Sequence, residues 1–150
     1  CLGGRRIIKK KINLYDLCVE LLQAREGSSD GGRLWDEVLA IEPDADKDNL
    51  LELLQNVLGI EDYLIPAIGE RLQQTEFDVL FLTGIGEVFP YIRSHNVLNN
   101  LQSTAKDKPT VMLFPGEYRH SLEQGASLEL FGLLHDDKYY RAFNIYETQV

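Results

Sequence analysis

The sequence has few cysteines, no long apolar run and a deficit of basic residues, and each shortage excludes a class of protein. Two cysteines among 150 residues, Cys1 and Cys18, are too few for a disulfide framework. No apolar run approaches the roughly 20 residues that a membrane-spanning helix needs, so we expect no membrane association. Cys18 lies among leucines at helical spacing, which predicts a core thiol in a reducing cytoplasm.

The basic residues are concentrated at the start of the chain. The formal net charge is −9, and five of the 15 basic residues lie between Arg5 and Lys11. The remainder of the chain holds all 24 acidic residues and repels a phosphate backbone, which disfavours direct nucleic-acid binding. We expect the basic cluster to form a solvated edge; DNA binding through it is the weaker alternative and predicts a steep salt dependence.

The composition and the first half of the chain predict one α/β domain over residues 1–150 with a helical insert. Forty-four per cent of the residues are apolar, enough for one hydrophobic core. Residues 6–13 form a strand-like run, and 14–25 repeat apolar residues at helical spacing. The helical insert at 34–75 holds three further helices, the second of them capped by Asp46 or Asp48.

The second half predicts further strands. Residues 79–82 form an unbroken apolar run, as expected of a strand covered on both faces. With the helix after it and the run at 110–114, it predicts a right-handed parallel crossover. We expect a polar loop at 117–126, a strand at 127–134, a turn at 135–138 and a last strand at 139–146. The predicted fold class is therefore a small, mostly parallel sheet with mixed edge strands, flanking helices and a helical insert.

The turn after residues 79–82 is a candidate anion site. Thr83, Gly84 and Gly86 lie where open α/β sheets bind ligands, and glycines permit backbone N–H groups to approach an anion. The turn lacks the Lys followed by Ser or Thr that a nucleotide-binding loop requires, and Glu87 competes with a phosphate. The pattern favours no cofactor, and a degenerate nucleotide or anion sensor is an alternative function.

The predicted helix after this turn is a candidate binding surface. Pro90 suits a first helical turn, and one side of the helix carries Arg93, Asn96, Asn99 and Asn100, with Phe89 near its start. Asn is a poor residue in a helix interior, so propensity does not explain its recurrence. Its amides either satisfy nearby backbone groups or bind another chain, and the residues leave both interpretations open.

No catalytic or metal-binding constellation is present in the sequence. Ser94 and His95 are adjacent in a helix, where neighbouring side chains point about 100° apart and cannot form a nucleophile and base pair. His120 and His135 have acidic neighbours, but their spacing matches no metal motif. We therefore expect no enzymatic activity and no bound metal.

Three stretches carry a resemblance to a known family. They are DVLFLTGIGEVFPYIRSHNVLNNLQ, KPTVMLFPGEY and LELFGLLHDDKYYRAFNI, and the resemblance covers about residues 61–146, including YLIPAI. In order and spacing they resemble the BrxB family of bacterial BREX bacteriophage-exclusion systems. The family has a further strand region near its N terminus, so the resemblance implies that this chain begins inside the domain.

The resemblance implies a part in a multi-protein defence assembly in the cytoplasm. The implied partners are other BREX proteins: a phosphatase-like protein of the PglZ type, the BREX ATPase and a DNA methyltransferase. It implies no catalytic residue, which favours a non-catalytic adaptor. The candidate contacts are then Phe89, Arg93, Asn96, Asn100 and Tyr118, because aromatic and Arg side chains dominate interface energetics.

Overall fold

The protein forms two three-stranded sheets and five α-helices in a computed structural model that describes residues 4–121, 125–130, 134–137 and 142–147. At 118–121, 125–130, 134–137 and 147 the backbone alone is described. The elements are β1 (Lys9–Asn13), α1 (Leu14–Ala24), α2 (Leu34–Ile41), α3 (Lys47–Leu58), α4 (Ile65–Gln73), β2 (Val79–Thr83), α5 (Ser94–Thr104), β3 (Thr110–Met112), β4 (Gly116–Ser121), β5 (Gly125–Leu130) and β6 (Leu134–Asp137). This architecture confirms the predicted α/β class.

The first sheet is parallel and has the strand order β1–β2–β3. Asn13 lies opposite Thr83, and Leu82 lies opposite Met112, so the carboxyl ends of the strands meet at one edge. The strand, helix and strand over residues 79–112 therefore form the parallel unit that the apolar runs predicted. The chain passes between β1 and β2 through α1 to α4, with a 3-10 turn (Glu42–Asp44) before α3 and a π-helical turn (Ile60–Leu64) before α4.

One face of the parallel sheet is buried under the helices. Residues opposite each other in a parallel pair point to the same face, which places Ile12, Leu80 and Leu82 together, all fully buried. They belong to one apolar cluster with residues from every helix. Met112 and Phe114 pack against the edge of this cluster from the end of β3. The hydrophobic effect thus fixes the helices on this side of the sheet.

In the part of the chain that the structure describes, no helix covers the other face, which corrects the prediction of a strand buried on both sides. Val79, Phe81 and Val111 point away from the core cluster and are half-buried, and Leu113 is 55% exposed. The apolar run was misleading because it shows no alternation, although the burial of its residues does alternate along the strand. A strand that has one face in the core and apolar, half-buried residues on the other face has the same residue types as a strand covered by helices on both faces.

The C-terminal strands form a separate antiparallel sheet in the order β4–β5–β6. The predicted polar loop at 117–126 is wrong, because Gly116 pairs with Leu130 and Ser121 pairs with Gly125. The predicted turn at 135–138 is also wrong over the residues described, since 134–137 form β6. An antiparallel ladder tolerates polar residues on an open face, so polarity alone did not identify a loop.

The last predicted strand, at 139–146, is absent from the part of it that is described. Residues 142–144 have no regular structure, and Ile145–Glu147 is a 3-10 turn. Residues 138–141 lie outside the described part of the chain. Ile145 and Tyr146 are exposed and do not add to either sheet.

Local signals at the helix ends behave as the sequence predicts. Asp46 caps α3 by accepting a hydrogen bond from the Asn49 backbone N–H at 2.8 Å, which decides between the two predicted caps. Pro66 lies in the first turn of α4, directly after the π-helical turn (Ile60–Leu64), and the helix continues through it. Cys18 is buried on α1, which confirms a core thiol, and burial raises its pKa to about 12.

Asp78 anchors the basic segment at the start of the chain to the parallel sheet. Its carboxylate accepts hydrogen bonds from the Ile8 backbone N–H at 2.9 Å and from Arg5 Nη2 at 2.8 Å. The Ile8 bond first, and the Arg5 charge after it, lower the pKa of Asp78 below its ordinary value of 3.8. Arg5 itself is largely exposed, in keeping with the solvated edge predicted for the basic cluster.

Replacing Leu82 tests the one-sided core. Leu82→Ala removes a fully buried side chain, and we expect it to lower the free energy of unfolding by about 2 to 5 kcal/mol. The matched control is Leu39→Ala on α2, where the side chain is exposed and the expected change is within about 0.5 kcal/mol. Urea unfolding followed by circular dichroism measures both, and equal losses would contradict this description of the core.

The Asp78 anchor predicts a pH-dependent difference in stability. A depressed pKa means that the anchor stabilises the fold above 3.8 and that this contribution is lost as the pH falls below it. Asp78→Asn should therefore melt at a lower temperature than the unmutated protein near neutral pH, and the two should converge in acid. Thermal melts across this pH range provide the measurement, and a gap that persists in acid would refute the anchor.

Candidate partner-binding site

The turn after β2 is shaped by a contact with the end of β1. Gly84 has φ of 76°, and a Cβ there would lie 2.5 Å from Asn13 Oδ1. The same oxygen caps α1, accepting hydrogen bonds from the backbone N–H groups of Tyr15 at 2.9 Å and Asp16 at 3.2 Å. The glycine is therefore required by its backbone conformation and by the close approach of this cap, without reference to a ligand.

The helix that was expected to begin at this turn begins ten residues after Gly84. Residues 85–93 form turns, the Phe89–Pro90 bond is cis, and Arg93 has the extended conformation of an N-cap before Ser94. Pro90 is therefore not in the first turn of a helix, which corrects that prediction. The free N–H groups of a helix N-terminus, on which the anion-site hypothesis relied, lie at Ser94 and not at Gly84 or Gly86.

Anion binding by Thr83, Gly84 and Gly86 stays a prediction with reduced geometric support. Thr83 Oγ1 is shielded from solvent and has no hydrogen-bond partner among the described residues. A ligand would have to displace neighbouring atoms to reach this hydroxyl. Glu87 is exposed close to the turn, where its carboxylate repels an anion.

Helix α5 has the two different sides that the sequence predicts. Val97 and Leu101 are buried in the core cluster, whereas Arg93 and Asn99 are exposed and Asn96 is half-buried. The backbone oxygen of Arg93 accepts hydrogen bonds from the N–H groups of Asn96 at 3.1 Å and Val97 at 3.2 Å. Arg93 is thus fixed by its backbone at the start of the helix while its side chain stays at the surface.

One residue of the predicted Asn surface, Asn100, forms a hydrogen bond within α5. Asn100 Nδ2 donates a hydrogen bond to the Asn96 backbone oxygen at 2.9 Å, so this amide satisfies a local group. Phe89 is half-buried in the turn before α5. Tyr118 lies on β4, but its side chain is outside the described part of the structure.

Among the described residues, the adjacent Ser94 and His95 do not lie in an open site. Ser94 and His95 are both buried, 5% and 6% exposed, beneath the surface that α5 presents. The side chains of His120 and His135 lie outside the described atoms. Over the described residues, no group of three or more His, Cys, Asp or Glu side chains is placed to hold a metal ion.

A large open concavity surrounds the outer edge of β3, and the sequence analysis missed it. Its volume is about 1700 Å³. Phe81, Val111 and Leu113 line it on the open face of the sheet, and α5 lines it on the other. The segment 142–146 forms a further wall, with Phe143 88% exposed and Tyr146 99% exposed. The aromatic residues Phe143 and Tyr146 were assigned to a predicted strand over 139–146. They were therefore not recognised as exposed aromatic surface.

The fold and this surface define an α/β protein with a one-sided parallel sheet and an uncovered apolar edge. The family model described as "BREX protein BrxB" matches residues 10–145. A "BREX protein BrxB" from Bacillus cereus (strain H3081.97) is 36% identical over 139 residues, which are 91% of this chain and 65% of the relative. The chain belongs to the BrxB family, which confirms the resemblance drawn from residues 61–146.

A more distant relative extends the comparison. A "BREX protein BrxB" from Escherichia coli O9:H4 (strain HS) is 24% identical over 134 residues, which are 89% of this chain and 60% of the relative. The chain thus spans less than two thirds of the length of each of these curated relatives. No solved structure matches it significantly. None of the helices in the described residues is long and apolar enough to cross a membrane.

Replacing Gly84 separates the structural role of the turn from ligand binding. Gly84→Ala should lower the free energy of unfolding with no ligand present, by about 1 to 2 kcal/mol for the backbone conformation and by about 1 kcal/mol more if Asn13 loses its cap. The matched control is Gly31→Ala, which has φ of 74° and open space at its Cβ. Chemical denaturation should show a larger loss at Gly84; equal losses would mean that the Asn13 contact is unimportant.

Proposed function

We propose that the protein is a non-catalytic adaptor of a BREX bacteriophage-defence complex and binds other BREX proteins through the outer side of α5. The expected partners are the phosphatase-like protein of the PglZ type and the BREX ATPase. The observation that carries the proposal is the placement of Arg93. Its backbone begins α5, whereas its side chain is exposed, and half-buried Asn96 and exposed Asn99 follow along the helix.

An Arg held in this way is suited to protein recognition. Its planar guanidinium donates up to five hydrogen bonds and pairs with carboxylates in a bidentate geometry. Because the backbone of Arg93 is fixed by the start of the helix, less conformational entropy is lost when a partner binds. Asn96 and Asn99 add neutral hydrogen-bonding groups along the same side, and Phe89 adds an aromatic group before it.

The burial of Ser94 and His95 supports a binding role over a catalytic one. A nucleophile and its base need access to substrate, and both of these side chains are buried. The exposed side of the same helix carries amides and one guanidinium, groups that form hydrogen bonds but are poor general acids or bases near neutral pH. Amide and guanidinium groups of this kind favour binding to the surface of another protein over catalysis.

Reversing the charge of Arg93 tests the proposal. Arg93→Glu should reduce recovery of BREX proteins with the tagged protein by about tenfold or more, because an interface Arg is often worth 2 kcal/mol or more. The measurement is quantitative mass spectrometry after purification from a host with an intact BREX system. Thermal melting establishes that the variant is folded.

The matched control is Lys47→Glu, the same charge reversal at an exposed position on α3. This variant should recover the same BREX proteins as the unmutated chain. If Arg93→Glu is folded and still recovers them at the same level, α5 is not the binding surface. If the unmutated chain recovers no BREX protein, the adaptor proposal itself fails.

A further inference from the structure

The two outer edges of the parallel sheet differ in charge. At one edge, β1 carries Lys9, Lys10 and Lys11, and lysines at a sheet edge discourage pairing with another strand. At the other edge, β3 has the sequence Thr-Val-Met and no charge. Within the described residues no strand pairs with the outer side of β3. The edge without a charged strand residue is the one that borders the apolar concavity.

The backbone of β3 is oriented for pairing on that outer side. The Pro109 oxygen accepts a hydrogen bond from Leu80 N at 3.0 Å, and Leu113 N donates to the Leu82 oxygen at 2.9 Å. These odd-numbered residues therefore direct their backbone groups toward β2. In a parallel ladder the alternate residues, Thr110 and Met112, direct theirs to the opposite side, which is the free edge.

The size of the concavity favours a polypeptide segment over a small molecule. Its volume of about 1700 Å³ exceeds the roughly 300 to 1,000 Å³ typical of small-molecule sites. Alternate side chains of an added strand would meet apolar surfaces on both sides: Val111 and Leu113 on one, and Leu98 of α5 on the other. Phe143 and Tyr146 border the concavity and supply exposed aromatic surface.

The charges around β3 specify the partner further. Lys106 and Lys108 line the concavity just before β3, whereas Glu87 and Glu117 line it near the other end of the strand. Lys108 Nζ lies 6.0 Å from the centroid of the Phe77 ring, before the start of β2, and the charge of Lys108 also acts on the carboxylate of Asp78. A bound segment therefore gains from an acidic residue next to the lysines and not next to the glutamates.

We propose that the free edge of β3 is a docking site for an extended apolar segment of a partner protein with an acidic residue beside Lys106 and Lys108. The segment adds a strand to the sheet, so backbone hydrogen bonds supply affinity and the alternating apolar contacts supply specificity. The inference rests on the adaptor function and gives that function a second surface, separate from Arg93.

Site-specific photo-crosslinking tests the inference in the intact defence system. Benzoylphenylalanine replaces Leu113 in the tagged full chain, and Leu39 is the matched control position because both side chains are exposed. The crosslinked peptide is sequenced by mass spectrometry. The inference predicts one partner peptide at Leu113 that has alternating apolar residues and an Asp or Glu at one end, and no such peptide at Leu39.

Three results of this experiment would overturn the inference. They are a crosslink within the same chain, a crosslink to a second copy, and a partner peptide without an acidic residue. If BREX proteins are recovered but Leu113 gives no partner crosslink, this docking site fails while the adaptor function stands. If no BREX protein is recovered at all, the adaptor function fails and the docking site fails with it.

A synthetic copy of the crosslinked peptide then tests the geometry by fluorescence anisotropy. Thr110→Pro removes one outward N–H without touching the bonds to β2, and it should weaken binding about tenfold. Lys106→Glu with Lys108→Glu should weaken it similarly. The control pair, Lys9→Glu with Lys11→Glu at the opposite edge, should leave the affinity unchanged. Equal affinity for all folded variants would contradict strand addition at β3.

Discussion

The burial of one face of the parallel sheet is the constraint on which the rest of the structure depends. Ile12, Leu80 and Leu82 are removed from water by the helices, and this apolar contact holds α1 to α5 on a single side. The opposite face keeps Val79, Phe81 and Val111 only half-buried. A small domain with its helices on one side has apolar surface left over, and in this protein that surface borders β3.

A second junction fixes the carboxyl ends of β1 and β2. Asn13 ends β1, caps α1 and occupies the space that a side chain at position 84 would need. One amide group thus sets the direction of a helix and the path of the chain after β2. The turn after β2 packs against Asn13, and α5 begins only after a further stretch of turns. This explains why a glycine pair in a typical ligand-binding location does not here begin a phosphate-binding helix.

The sequence predicted the elements whose signals are local and failed where tertiary packing decided. The helices, the Asp46 cap, buried Cys18 and the parallel pairing of β2 with β3 follow from periodicity and capping chemistry. The start of α5 was missed because the extended backbone at Arg93 depends on how the turn packs. The polar strand β4 was missed because only its pairing with β5 distinguishes it from a loop. Of the candidate site, Arg93 and Asn96 were predicted from the two-sided pattern of α5. The concavity was not predicted, because its lining comes from several separate segments between Phe81 and Tyr146 that only tertiary packing brings together.

Membership of the BrxB family and the two surfaces support a single account of function. The polar side of α5 and the free edge of β3 are the two surfaces that we propose for partner binding, and an adaptor between proteins requires two separate surfaces. Hydrogen exchange compared between the free protein and its purified BREX assembly tests this most directly. The account predicts slower exchange in the assembly at the start of α5 and at Thr110 and Met112 of β3, with no change in α2 or α3. Unchanged exchange at both predicted surfaces would contradict it.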